Sequence, residues 1–313
     1  MRIVFWARMG LARQEILQTI QSVPGAEANM VHTLPDVLAA LPGATGLVLI
    51  HGPQHEARQI KEALSAPGNT VRWMHFVSAG REGYDEVGYP PGVIVTYAGG
   101  GVAPAVAEHA MALVLALARR VPEIISVTQR RTWDRSLSTR ARSLEGATMA
   151  VVGFGHIGRE LAARARPFGM RIVTVSRAAL ADPLVDQAYP MSGLRDALAQ
   201  ADVVAVTIAL TPDTTRLLGE AEFAACRPGA LLVNVARGAV LDQDALARAL
   251  HGGHLGGAAL DVTDPEPLPD DHPFWSCPNL LVSPHVAGAG SPHSVQRLAA
   301  GVGDNLRRLV HGE

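Results

Sequence analysis

The sequence predicts an α/β protein made of two doubly wound domains with parallel sheets. Three observations carry that expectation. The chain has 313 residues, and at about 150 residues per domain such a length suggests two. Short apolar runs alternate with longer amphipathic stretches, the pattern of βαβ units. The alternation then stops at a glycine-rich stretch, Tyr97-Ala-Gly-Gly-Gly-Val-Ala-Pro104, and starts again beyond it. Such a stretch reads as a hinge or boundary.

In the first half, residues 3–7, 46–50, 72–77 and 93–97 read as strands, each apolar and partly β-branched or aromatic. Residues 12–20 and 56–65 read as helices between them. Residues 105–120 form a helix with few polar positions before Arg119, namely Glu108 and His109. A helix apolar nearly all round must be buried on most sides. It is either an ordinary core helix or one covered by a domain or subunit interface. The second alternation begins at Ala147. Strand 148–153 leads to helix 157–167 and strand 171–176. Strand 202–208, helix 220–225, strand 230–235, helix 243–251 and strands 257–261 and 280–283 complete a doubly wound domain. Residues 292–310 read as a last helix, which returns to the first domain because the two ends of such a fold often lie close together. The expected division is therefore 1–98 plus 291–313 for one domain, with 99–290 inserted as the other.

Composition excludes several classes. The formal charge is −2, from 27 basic and 29 acidic residues, so no positive excess points to nucleic acid or a membrane surface. Charged residues make up 18% and hydrophobic ones 48%, ample for sizeable cores. Lys61 is the single lysine, which limits schemes needing a lysine amine. Cys226 and Cys277 are the only cysteines, too few and too far apart for a disulfide framework or a CxxC zinc site. The pair His251 and His254 follows a helix and reads as its glycine-rich end, not as a metal site. No segment reaches the ~18 uninterrupted apolar residues of a membrane span. The amino terminus is too short and too charged for a signal peptide. A cytoplasmic protein is expected.

The sharpest local motif is Gly153-Phe-Gly155-His-Ile-Gly158, placed after the apolar run Met149-Ala-Val-Val152 and before a helix. Gly153 permits the tight turn, Gly155 lets backbone approach a pyrophosphate, and Gly158 lets helix and strand pack closely. The free amides at the helix start favour phosphate charge. A carboxylate about 20 residues on would bind an NAD ribose, but Val173-Thr-Val-Ser-Arg-Ala178 has none at that strand end. Ser176 and Arg177 stand there instead. A hydroxyl and a guanidinium suit a 2′-phosphate, so NADPH is expected over NADH, with NAD as the lesser cofactor.

Further blocks resemble the D-isomer-specific 2-hydroxyacid dehydrogenases. They are Ala105-Val-Ala-Glu-His109, Leu210-Thr-Pro-Asp-Thr214, Gly229-Ala-Leu-Leu-Val-Asn-Val-Ala-Arg-Gly238, Ala259-Leu-Asp-Val-Thr-Asp-Pro-Glu-Pro-Leu268, His272-Pro-Phe-Trp275 and Ser283-Pro-His-Val286. The resemblance runs from about residue 95 to the end and is weaker before it. It implies a Rossmann-type cofactor domain inserted into a flavodoxin-like substrate domain, and a homodimer formed through the cofactor domain. It implies that Arg237 clamps substrate, that Glu266 is the acidic partner and that His285 is the general acid/base. It implies cofactor contacts at His156, Ile157, Ala209, Val235 and Asp261, and a substrate carboxylate held by backbone amides at Ala79 and Gly80. The chemistry asks for the same types. In reduction of a 2-oxo acid, negative charge grows on the carbonyl oxygen, a guanidinium polarises it, and an imidazolium supplies the proton. A carboxylate beside His285 would favour its charged form.

Departures bear on substrate. Arg81-Glu82 sits in the carboxylate loop as an insertion or substitution, either as a charge pair at the surface or with Arg81 reaching a second anionic group. Thr207 and Ala209 stand where His and Pro are frequent, and backbone contacts there tolerate the change. Formate dehydrogenases carry an amide at the position of Glu266, so the acid favours carbonyl reduction with proton donation. The expected activity is reduction of glyoxylate- or hydroxypyruvate-like 2-oxo acids, with no nucleic-acid or membrane partner. The alternative is a non-catalytic nucleotide-sensing protein on the same fold.

Overall fold

The computed structural model of the chain describes residues 1–8, 10, 12–78, 80–179 and 181–312. They divide into two compact units, Met1–Val102 with Ala289–Glu313, and Ala103–Gly288.

The first unit contains β1 (Arg2–Trp6), α1 (Arg13–Ser22), β2 (Glu27–Val31), α2 (Leu34–Ala40), β3 (Gly46–Leu49), α3 (Gln54–Ser65), β4 (Trp73–Phe76), α4 (Glu82–Val87), β5 (Ile94–Tyr97) and the C-terminal helix Pro292–His311. Its strands pair in parallel in the order β2-β1-β3-β4-β5, a doubly wound order with its switch point between β1 and β3. The period of two along β1 divides its side chains between two cores. Ile3 and Phe5 pack with Ile16, Ile20 and the C-terminal helix residues Leu298, Val302 and Leu306. Val4 and Trp6 pack with Val37, Ile60 and Leu64 on the opposite face. Ser291 caps the C-terminal helix, its Oγ accepting from the Ser294 amide at 3.1 Å.

The second unit contains α5 (Ala103–Ala118), α6 (Val121–Gln129), β6 (Thr148–Val152), α7 (His156–Ala165), β7 (Arg171–Val175), β8 (Gln187–Tyr189), α8 (Leu194–Leu198), β9 (Val203–Val206), α9 (Glu220–Ala225), β10 (Leu231–Asn234), α10 (Gln243–His251), β11 (Gly257–Leu260) and β12 (Leu280–Val282). Its sheet is parallel throughout, in the order β12-β11-β10-β9-β6-β7-β8. From β6 onward this is the 3-2-1-4-5-6 order of dinucleotide-binding sheets, with β12 added at one edge. β6, β9, β10 and β11 are buried along their whole length, as unbroken apolar runs covered on both faces require. One face packs on α8, α9 and α10 through Val152, Val206, Leu232, Phe223 and Leu246. The expectation of two doubly wound parallel sheets holds.

Several elements differ from the sequence reading. The helix read at 105–120 ends at Ala118, and Arg120 takes a left-handed φ of 57° that breaks the chain into α6. α5 is a core helix, with eight of its 16 residues buried. The more exposed apolar side belongs to α6, where Val121, Ile124 and Ile125 face solvent. β2 and β8, each at one edge of its sheet, and the short α2, α4 and α8 escaped the sequence reading because three to seven residues of mixed polarity show no clear period. Among the described residues, no helix is long and apolar enough to cross a membrane.

Candidate active site

Strand order in the second unit reverses between β6 and β9, and ligands of such sheets bind beyond the carboxyl ends of the strands at that point. Gly153 ends β6 with φ +96°, and a Cβ there would sit 2.5 Å from the Ile208 Cα. A Cβ on Gly158 would sit 2.5 Å from the Gly153 carbonyl oxygen. Both positions therefore demand glycine for packing. Gly155 differs: nothing lies within 4 Å of where its Cβ would be, and it caps α7 without a side-chain bond. The first amides of α7, those of His156 and Ile157 among them, have no partner inside the helix. Thr207, after β9, donates its hydroxyl to the Gly153 carbonyl at 2.5 Å and ties the two strand ends together. An open cradle, free helix amides and a glycine turn fit a dinucleotide pyrophosphate.

Ser176 and the exposed Arg177 follow β7 directly, and no carboxylate stands at that strand end. The first acid in the following loop, Asp182, is ion-paired with Arg159 from the first turn of α7, and its side chain is 7% exposed. Arg159 also lies over the Phe154 ring, 4.9 Å from its centroid. The exposed Ala209 follows β9, and its carbonyl accepts from the Thr214 hydroxyl at 2.7 Å.

The ends of β10, β11 and β12 bring three further residues to the same sheet edge. Asn234, fully buried, shapes the turn after β10: its Nδ2 donates to the Arg237 carbonyl at 2.9 Å and its Oδ1 accepts from the Ala236 amide at 2.9 Å. Val235 is buried in that turn. Arg237 follows it, with one guanidinium nitrogen on the Ala236 carbonyl at 2.7 Å. A side chain on Gly238 would overlap the Thr263 backbone, so glycine there lets the turn lie against the β11 loop. Within that loop, Glu266 accepts from the Thr263 amide at 3.1 Å. His285, after β12, donates from Nδ1 to the Glu266 Oε2 at 2.9 Å. That hydrogen bond raises the His285 pKa above its usual 6.5 against the opposing effect of burial. For Glu266 burial disfavours the charge, but the bonds from His285 and Thr263 outweigh it and hold the carboxyl below its ordinary range. The Arg237 charge acts on both groups. Asp261 is buried behind His285. Glu266, His285, Asp261, Ser283 and Trp275 line a cavity of about 610 Å³.

In the first unit, Ala79 lies outside the described residues. The Gly80 carbonyl accepts from the Ser78 hydroxyl at 2.8 Å, and Ser78 Oγ accepts from the His51 amide at 3.1 Å. Arg81 stacks on the Tyr97 ring at 4.5 Å and pairs with Asp85 at 3.5 Å. Arg8, at the end of β1, stacks on Trp6 and is ion-paired with Glu56.

Sequence reasoning missed the supports of these groups: Thr207, Asn234, Asp182, Ser283 and His109. Asn234 and Ser283 stand inside the quoted motif blocks, so their position was available although their bonds were not. Asp182 carries no local signal, since its partner is 23 residues away.

Comparison with known proteins comes from several directions. Residues 111–287 match the family model of the D-isomer specific 2-hydroxyacid dehydrogenase, NAD binding domain. The chain is similar to the D-3-phosphoglycerate dehydrogenase of Mycobacterium bovis, 32% identical over 284 residues; the match covers 88% of this chain and 51% of that protein. It thus spans about half the length of that relative. It is also similar to the glyoxylate reductase of Thermococcus litoralis, 33% identical over 241 residues that cover 74% of this chain and 72% of the relative. Among solved structures, the TT0316 protein of Thermus thermophilus superposes with a TM-score of 0.81 at 34% identity, covering 100% of this chain and 98% of the other.

Proposed function

Because the chain belongs to the D-isomer specific 2-hydroxyacid dehydrogenase family, we propose that it reduces small 2-oxo acids of the glyoxylate and hydroxypyruvate kind to D-2-hydroxy acids, preferring NADPH. The observation that carries this reading is the His285–Glu266 pair beside Arg237, at the sheet edge that also bears the glycine turn. Relatives named glyoxylate reductase support the substrate class.

When bound, the nicotinamide supplies the hydride that reduces the substrate carbonyl carbon. The protein's own residues do the rest. The Arg237 guanidinium binds the substrate carboxylate and polarises the carbonyl oxygen. Glu266 occupies Nδ1 of His285, so Nε2 is the atom that delivers the proton as charge grows on oxygen. Glu266 keeps that imidazole charged. Gly153, Gly155 and Gly158 with the start of α7 hold the pyrophosphate, and His156, Ile157, Ala209, Val235 and Asp261 complete the cofactor contacts. Ser176 and Arg177 take the 2′-phosphate, and the Arg159 pairing of Asp182 offsets a negative charge of the loop that follows them.

The test is a spectrophotometric screen of NADPH and NADH oxidation with glyoxylate, hydroxypyruvate, pyruvate and longer 2-oxo acids. Turnover with a higher kcat/KM for NADPH is expected, and Arg177→Ala should weaken NADPH while sparing NADH. A clear NADH preference would sink the cofactor assignment. No turnover with any acid, alongside tight NADPH binding, would replace the enzyme reading by the nucleotide-sensing one.

A further inference from the structure

Asp261 is nearly closed to solvent, at 1% exposure, and its carboxylate is the hub of the turn that carries His285. Its Oδ1 accepts from the Ser283 hydroxyl at 2.6 Å and from the Val286 amide at 3.0 Å. Its Oδ2 accepts from the Ala287 amide at 2.9 Å. The His285 amide donates to the Asp261 carbonyl at 2.9 Å. The turn needs such support, because His285 holds φ +53°. A side chain with a Cβ keeps that left-handed conformation only where its surroundings impose it.

His109, on the distant helix α5, closes this arrangement. Its Nε2 lies 3.1 Å from the Ser283 Oγ and 3.3 Å from the Asp261 Oδ1. A serine hydroxyl has one proton, and Ser283 gives it to the carboxylate. The Nε2 of His109 therefore carries a proton and donates to Ser283 Oγ. The result is a chain of donors, His109 to Ser283 to Asp261, that leaves the carboxylate one orientation in which to receive both amides.

We propose that His109, acting through Ser283 and Asp261, is a positioning residue that sets the angle at which His285 meets Glu266. This rests on the reading of His285 as proton donor. His109 bonds to Ser283 and lies beside Asp261 Oδ1, so its contacts are with the support of the turn and not with His285 or Glu266. The cofactor contact assigned to Asp261 remains compatible, since Oδ2 receives a single amide and has a lone pair to spare. The charged groups acting on His285 are Glu266, Arg237 and Asp261, and the inference concerns the geometry of the first of these.

Two variants test it: His109→Leu, which removes the donor, and His109→Gln, whose side-chain amide donates in its place. The quantities to measure are kcat, the NADPH Kd, the pH profile of kcat/KM and hydrogen exchange at the Val286 and Ala287 amides. His109→Leu should lower kcat by roughly 10- to 100-fold, the scale of a small misplacement of a catalytic group. It should also move the basic limb of the profile to lower pH, as the bond from His285 to Glu266 loosens, and speed exchange of both amides. The NADPH Kd should hold, and His109→Gln should restore most of kcat. An unchanged kcat and pH limb in His109→Leu overturns the proposal, as does a loss confined to NADPH affinity. Should that variant fail to fold, Ser283→Ala, a one-atom deletion, is subject to the same outcomes. His285→Ala separates the two readings. Near-full activity of His285→Ala refutes the proton donor itself, whereas its inactivity beside a normal His109→Leu refutes the positioning role alone.

Discussion

At the scale of single residues, the His285–Glu266 bond sets the sign of the pH response. The bond raises the His285 pKa, and reduction needs the protonated imidazole. The rate of reduction should therefore be full at low pH and fall as pH rises through a value above 6.5. Glu266→Gln removes the stabilising charge, so the fall should begin at lower pH in that variant. His285→Ala should lower kcat by about 10²- to 10⁴-fold, the usual contribution of general acid catalysis. A pH–rate series on the three proteins checks both statements, and a Glu266→Gln profile superimposable on the parent would refute the pairing as the cause. Much of this scale was legible in sequence: Arg237, Glu266 and His285 stand inside motif blocks. Their separation was not, because Glu266 and His285 stand 19 positions apart in the chain, which leaves the distance to the packing of β12 on β11.

Elements explain why the glycine turn works and separate two roles that the motif alone merges. Gly158 has no room for a Cβ, while Gly155 has open space before it. Gly158→Ala should cost about 1–3 kcal/mol of stability through overpacking of α7 on β6. Gly155→Ala should stay within about 0.5 kcal/mol of the parent, yet weaken NADPH binding by filling the cradle. Denaturant unfolding and a cofactor titration on both variants decide this. Equal stability losses would mean that both glycines serve packing alone. The elements that the sequence revealed were those with long apolar runs, such as β6 and β10, or capped amphipathic helices, such as α10 with Asp242 accepting from the Ala245 amide at 3.0 Å. β2 and β8 carry half-buried residues of mixed polarity, which hides them, whereas β5 and β12 at the opposite sheet edges keep the apolar runs that the sequence reading found. The sequence reading ended the first helix at residue 120, close to its observed end at Ala118, but it missed α6, which Pro122 opens in its first turn.

For the whole molecule, the near-neutral charge of −2 narrows how anionic ligands are recognised. No global field draws them in, so the proposed recognition is local, at Arg177, Arg237 and the start of α7. The homodimer that the family resemblance implies has a candidate surface. Val121, Ile124 and Ile125 of α6 are exposed, and the Trp133 that follows is 91% exposed, an apolar patch of the kind that marks an interface. Light scattering should give a dimer mass, and replacing Ile124 and Ile125 by aspartate should reduce it to a monomer mass. A monomer in the parent protein would remove the homodimer. By itself the sequence determined the fold class, the cofactor turn and the identity of the candidate catalytic groups. These depend on contiguous patterns: the periods of strands and helices, and glycines at fixed spacing. Only the tertiary structure decided which side chains meet. His109 and Ser283 are 174 residues apart in the chain and join at one buried carboxylate, because helix packing and sheet register, not local sequence, bring such groups within hydrogen-bonding distance.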